Sequence, residues 1–404
     1  MSHAVPDSRQ KPPVNVVLVA ASPFPYPQGS QVLIGQLATA LIRRGHRVRL
    51  VTYGSGTGQQ PPGIEIHRTP APLGLTPARP APSWRKPFLD LLLARELLRV
   101  TRRWPGEVLH VHNFEALLAA LFVRRLTGVP VIYHVHNAMG LELHTYFRSR
   151  LGQWAGAHVG RWVDANLARQ ADYCILLVDE AVSYFRERGV TRLRVVPPGI
   201  DFEPGDAARA RQELGEGPLV LYSGNLDRYQ DLDLLLAAFR LVADARPDAR
   251  LIFSTSAGTG RLKAQAESLG IGAQAVFLAA DNFDRVRHLL AAADVAVCPR
   301  KTCLGFPIKL LNYMAAGRAI VAAEGSASGL RHLEDGWVVA NGDAAGMARA
   351  IVALLEDPDL ARRLGEEARR TVRQKYTWDR AVEAIEEVYE HAGRAGSPST
   401  RRQY

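Results

Sequence analysis

The chain alternates short apolar, β-branched runs with longer stretches in which apolar residues recur every three or four positions. "NVVLVAA" (Asn15–Ala21) is of the first kind. After the turn "SPFPYPQGS" a helical period starts at Ser30 and stops at Gly45, with arginines in the last turn, where the helix dipole favours cations. "HRVRLVTY" then reads as a second strand, and strand-like runs follow at 107–112, 129–136, 172–178 and 193–199, separated by helical stretches such as "FEALLAALFVRRLTG". After the Pro/Gly-rich segment "PPGIDFEPG" (Pro197–Gly205) the alternation restarts with the strands "PLVLYSG", "ARLIFSTS", "AVFLAA", "DVAVCPR", "RAIVAA" and "GWVVA" and helical stretches between them. Two successive βα series predict an α/β protein of two Rossmann-like, doubly wound parallel-sheet domains facing across a cleft, with ligands beyond the carboxyl ends of the strands.

The 404 residues exceed what one ordinary core organises, in agreement with two domains. The pattern sets them at 14–199 and 200–375, with a helix at 376–392 returning towards the first. The polar ends, 1–13 and 393–404, are expected to be disordered. Hydrophobic residues make up 47% and charged residues 22%, a soluble globular balance. No apolar run has the roughly 20 residues that span a bilayer, and the N-terminus lacks a signal-peptide core, so a cytoplasmic protein is expected. Cys174, Cys298 and Cys303 show no CxxC spacing and read as core thiols.

The net charge of +10 calls for an anionic partner. The segment Trp84–Trp104 sets Phe88, Leu91, Leu92, Arg95, Leu98 and Arg102 at helical spacing, a pattern that suits either an ordinary packed helix with a basic outer face or a peripheral contact with an anionic membrane. No nucleic-acid-binding signature is present, so nucleic acid ranks last as partner.

Candidate chemistry gathers in "PRKTCLGFPIKLLNYMAAGRAIVAA" (Pro299–Ala323). Gly305, Phe306 and Pro307 follow a strand and open a helix, with Pro307 suited to its first position. The free N–H groups there, Ile308 included, form an anion site. Lys309, Asn312, Tyr313 and Ala316 share one face of this helix, and Ile308, Leu311 and Ala315 the other. Gly29 and Ser30 open a helix after the first strand in the same way. "VLHVHN" and "VIYHVHN" bring His110, His112, His134 and His136 to the ends of two strands. Four such histidines are also a zinc candidate, but no cysteine or carboxylate is spaced to complete a closed set, so no metal is expected. "GSGTG" (Gly54–Gly58) runs into "QQPPG" rather than a helix and reads as a loop, and the "DLD" at Asp231–Asp233 reads as a helix cap.

The order of these pieces resembles the family 4 retaining glycosyltransferases of the GT-B fold over almost the whole chain, from "NVVLVAASPFPYPQGS" through "ADYCILLVDEAV" and "VVPPGID" to the closing "YTWDRAVEAIEEVYE". The resemblance implies transfer of a sugar from a nucleotide diphosphate sugar to a glycan or lipid-linked acceptor, with retention of configuration, no metal and no cofactor beyond the donor itself. It also implies that His136 meets the transferred sugar, and that Gly29, Ser30 and Asn137 lie on the acceptor side. Where the family carries two glutamates this chain has Leu304 and Asn312, and where it carries an arginine and a lysine it has Asn225 and Gln230. Positive charge is then expected from Arg228, Arg300, Lys301 or Lys309, with Gly258 in the loop "STSAGTG" (Ser254–Gly260) beside the donor. The rewired site thus comprises His136, Lys309 and Arg228 as catalytic residues and Asn225, Gln230, Gly258, Gly305, Phe306, Pro307, Ile308 and Asn312 as donor-binding residues. The alternatives are a non-catalytic protein binding sugar nucleotides or lipid phosphates, and a sugar-nucleotide epimerase, which would want carboxylates in the cleft.

Overall fold

The computed structural model describes residues 11–26, 29–56, 60–70, 85–147, 149–280 and 282–395. The chain divides into two units, Met1–Gly199 with Trp378–Tyr404, and Ile200–Thr377. Both termini expected to be disordered lie largely outside the described residues, as does Trp84.

In the first unit the order is β1 (Asn15–Ala20), α1 (Gly29–Arg43), β2 (Arg47–Thr52), β3 (Glu65–Arg68), α2 (Lys86–Arg103), β4 (Val108–His112), α3 (Phe114–Thr127), β5 (Val131–Val135), α4 (Met139–Glu142), α5 (Arg150–Asn166), β6 (Tyr173–Leu176), α6 (Ala181–Arg186) and β7 (Leu193–Val195). The second contains α7 (Ala207–Leu214), β8 (Leu219–Ser223), α8 (Leu232–Ala245), β9 (Arg250–Thr255), α9 (Gly260–Ser268), β10 (Ala275–Ala279), α10 (Phe283–Ala292), β11 (Val295–Cys298), α11 (Ile308–Ala315), β12 (Ala319–Ala323), β13 (Trp337–Val339), α12 (Ala344–Glu356) and α13 (Pro358–Lys375). The last helix, α14 (Trp378–Ala395), belongs to the first unit.

Every strand pairing is parallel, in the orders β3-β2-β1-β4-β5-β6-β7 and β10-β9-β8-β11-β12-β13. Parallel strands covered on both faces read as continuous apolar runs, and β1, β8, β11 and β12 are buried almost throughout. β3 escapes the sequence pattern because "EIHR" is four residues long and only partly buried at the sheet edge. In each sheet the strand order reverses once, between β1 and β4 and between β8 and β11. These are the topological switch points where a doubly wound sheet opens a ligand crevice.

Candidate active site

At the switch point of the second sheet, β8 ends at Ser223 and β11 at Cys298, and α11 follows. Lys309 is half-buried, and its Nζ lies 2.7 Å from the Tyr222 hydroxyl and 2.9 Å from Gln230 Oε1, over the Tyr222 ring at 4.1 Å. Gln230 in turn donates to Asn225 Oδ1 at 2.9 Å, and Asn225 donates to the Tyr229 hydroxyl at 2.7 Å. Both oxygens on Lys309 are neutral, so the ammonium is held without a carboxylate and keeps one N–H unspent among the described residues. Burial pulls its pKa down from 10.5 to about 8.

Gly224, with φ at 144°, follows directly, and a Cβ placed there would sit 2.8 Å from Lys309 Nζ. Glycine is what lets the lysine reach this edge of the sheet. Pro307 is the N-cap of α11 rather than its first residue, and no side chain caps this end. The strand-like ψ of 96° at Pro307 delays the helix by one residue, and the first-turn amides of Ile308 and Lys309 stay without a side-chain acceptor. Gly305 and Phe306 are buried before it, with Phe306 edge-on to Tyr376.

Tyr313 departs from the expected polar face. It is fully buried, and its hydroxyl accepts from Ser223 N and donates to Ser223 O, fastening α11 to the end of β8. The buried side of α11 is Leu310, Leu311, Tyr313 and Met314, which leaves Lys309 and Asn312 half-buried on the other. Arg228 stands exposed on the short 3-10 turn 228–230, while Gln230 in the same turn points inward. Arg300 lies over the Tyr229 ring at 4.5 Å, and Lys301 pairs with Asp231 at 2.9 Å. Asp231 sits at the N-cap of α8 in the left-handed conformation and makes no capping bond, so its carboxylate serves Lys301 instead of the expected cap. Gly258 is exposed in the loop after β9, with open space around it.

At the switch point of the first sheet, the histidines of β4 and the β5 end form two hydrogen-bonded pairs whose rings stack into a column. Tyr389 of α14 meets His110 Nδ1 at 2.8 Å, His110 Nε2 meets His134 Nδ1 at 3.0 Å, and His112 Nδ1 meets His136 Nε2 at 2.8 Å. Burial keeps all four neutral at pH 7, with His110 pulled to about 3 and His136 to about 4. Ring nitrogens of His110, His112 and His134 lie within 4.8 Å of one another. Both nitrogens of His110 and the Nδ1 atoms of His112 and His134 are committed to hydrogen bonds. Within this trio the remaining two ring nitrogens, His112 Nε2 and His134 Nε2, are buried without a hydrogen bond.

Further buried polar atoms without partners are Ser22 Oγ after β1, Gln31 Oε1 in the first turn of α1 and Asn113 Oδ1 after β4. Asn113 carries a φ of 73° at the point where β4 turns into α3. Buried polar atoms are almost always paired, so a group of orphans at a switch point marks a place where a polar ligand or water completes the set. Gly29 and Ser30 open α1 beside them, and Asn137 follows His136 as a half-buried residue. Of the "GSGTG" segment, the described part is irregular, and Gly56 is packed against the Phe24 carbonyl. Sequence reasoning missed Tyr222, Ser22, Gln31 and Asn113, because an isolated tyrosine, serine or amide carries no periodic or motif signal.

Two doubly wound parallel-sheet units, each with polar groups at its switch point, are the architecture of the GT-B fold. Comparison with known families makes this specific. Residues 206–371 match the glycosyl transferases group 1 and residues 28–199 the glycosyl transferase 4-like domain, and the chain belongs to this glycosyltransferase family. A D-inositol 3-phosphate glycosyltransferase of Acidothermus cellulolyticus is 29% identical over 94% of this chain and 90% of its own length. One from Segniliparus rotundus is 24% identical over 96% and 91%. Among solved structures, a sucrose-phosphate synthase from Thermosynechococcus elongatus superposes with a TM-score of 0.80 at 19% identity, covering 94% of this chain and 100% of that one. HepE of Anabaena, solved with UDP-glucose, gives 0.73 at 18% identity, covering 93% and 99%.

Proposed function

We propose that the protein transfers a sugar from a nucleotide diphosphate sugar to a hydroxyl acceptor with retention of configuration and without a metal. The observation that carries this is Lys309, a half-buried ammonium held only by neutral oxygens beside the uncapped first turn of α11. A diphosphate on the amides of Gly305, Phe306 and Ile308 supplies the negative charge that pairs with this ammonium, and water exclusion strengthens the pairing. Neighbours of the same fold crystallised with UDP and UDP-glucose support a nucleotide donor.

In the reaction the bond from anomeric carbon to phosphate oxygen breaks and a bond to the acceptor oxygen forms on the same face. The acceptor proton leaves to the departing phosphate oxygen, so no side-chain base is assigned. Lys309 offsets charge growing on the diphosphate, with Arg228 and Arg300 as further cations and Asn225, Gln230 and Asn312 as neutral hydrogen-bonding groups. His136, Asn137, Gly29 and Ser30, with Ser22, Gln31 and Asn113, form the acceptor side. The relatives' names place phosphorylated polyols beside glycans and lipid-linked acceptors among those to try.

Calorimetry with UDP and with uridine tests the donor reading. Lys309→Ala is expected to weaken UDP binding about ten- to hundredfold and leave uridine within about twofold. Equal losses for both ligands would remove Lys309 from the phosphate site. Tight UDP binding with neither transfer nor donor hydrolysis on any acceptor would favour a non-catalytic binding protein.

A further inference from the structure

Helix α5 is built inside out. Ordinary surface helices turn large apolar side chains inward and small or polar ones outward. Here Gly152, Gly156 and Gly160 form the inner face, packed so closely that a Cβ on Gly160 would lie 2.2 Å from the Met139 carbonyl oxygen and one on Gly156 would lie 3.0 Å from His144 Cα. Asp164 fastens the same side, accepting from Met139 N, Gly140 N and the Tyr184 hydroxyl. The tryptophans point the other way: Leu151 is 75% exposed, Trp154 61%, Val159 52% and Trp162 55%.

Charge selects the occupant of that face. α5 exposes Arg150 and Arg161 and no acidic side chain, since its single carboxylate is the buried Asp164. A two-fold contact with a second copy would set those arginines against their own images with no acid on the helix to pair them. An anionic lipid surface takes both features, with arginines on the headgroups and indoles at the depth where their N–H groups stay wet. The connections carrying α2, α3 and α5 all move the chain in the same direction across the first sheet, so right-handed crossovers place them on one face. On that face Phe122 and Leu126 of α3 are also exposed, and among the described residues the second unit exposes only Leu241, Phe283 and Leu333 as large apolar side chains.

We propose that α5 lies in the interface of an anionic bilayer, inserting Leu151, Trp154, Val159 and Trp162, with Arg150 and Arg161 on the phosphates. This is independent of the donor chemistry above.

The full chain is sedimented with vesicles of phosphatidylcholine alone and with about 30% phosphatidylglycerol, while tryptophan emission is followed. The wild type is expected to partition onto the anionic vesicles with a blue shift, and Trp154→Ser/Trp162→Ser to lose this about tenfold while keeping UDP affinity and thermal midpoint. Leu241→Ser in the second unit should partition like the wild type. Equal sedimentation of wild type and the tryptophan variant, or none by either, overturns the proposal. So does a dimer seen by ultracentrifugation that the tryptophan variant abolishes without vesicle binding by the wild type. Loss of vesicle binding in Arg95→Gln/Arg99→Gln/Arg102→Gln together with its retention in the tryptophan variant would move the contact to α2 and equally overturn it.

Discussion

Gly224 and Lys309 compete for one volume, and the glycine yields it. Gly224→Ala would force a Cβ into a backbone at φ 144° and push the ammonium off Tyr222 and Gln230. The expected outcome is a loss of about 1–3 kcal/mol in stability, measured by denaturant melts, together with weaker UDP binding. Lys309 also carries a pH signature. Its pKa near 8 lies below the unfolded value, so between about 8 and 10.5 the unfolded chain binds the extra proton and stability rises with pH across that window. Diphosphate binding favours the charged form, so UDP affinity should fall as pH rises through 8, and Lys309→Met should flatten that fall in calorimetry. The place of Lys309 just after the Gly-Phe-Pro turn, at the start of α11, was legible in the sequence. Its neutral partners were not, because Tyr222 and Gln230 reach it across 87 and 79 positions of sequence.

At the scale of elements, α14 shows what a terminal helix contributes. It is separated from the rest of its unit by the whole second unit, yet Glu386 takes Arg44 at 2.9 Å and His46 at 3.0 Å, and Tyr389 takes His110. Tyr389→Phe keeps the ring and strands His110 Nδ1, so a loss of about 1–3 kcal/mol is expected in the unfolding of the first unit. A variant as stable as wild type would mean that water replaces the hydroxyl. Most elements were readable because buried parallel strands and covering helices carry unlike periods. Two features were not. β3 is too short and too polar to stand out, and the inverted face of α5 looks like an ordinary amphipathic helix until the packing of its glycines is known.

Across the whole molecule, the neutral histidine column makes acid stability a property of the first unit. Their native pKa values are depressed below about 6.5, so as pH falls from 6.5 towards 4 the unfolded chain takes up protons that the native unit refuses. Each such histidine contributes a slope of about 1.4 kcal/mol per pH unit in that window. Thermal melts between pH 7 and 4.5 should show the first unit losing stability steeply. His134→Phe should shed part of that dependence, and a slope equal to wild type would exclude the column as its source.

The sequence by itself determined the two βα series, the helix mouth after "LGFP" and the family resemblance, because periodicity and turn residues act over short stretches of chain. Only the tertiary structure decided that Tyr313 belongs to the core, that Asp231 serves Lys301, and that four histidines join into one column. It also decided that the tryptophans of α5 face outward. Each of these depends on which distant segment fills the neighbouring space, and a one-dimensional pattern does not carry that information.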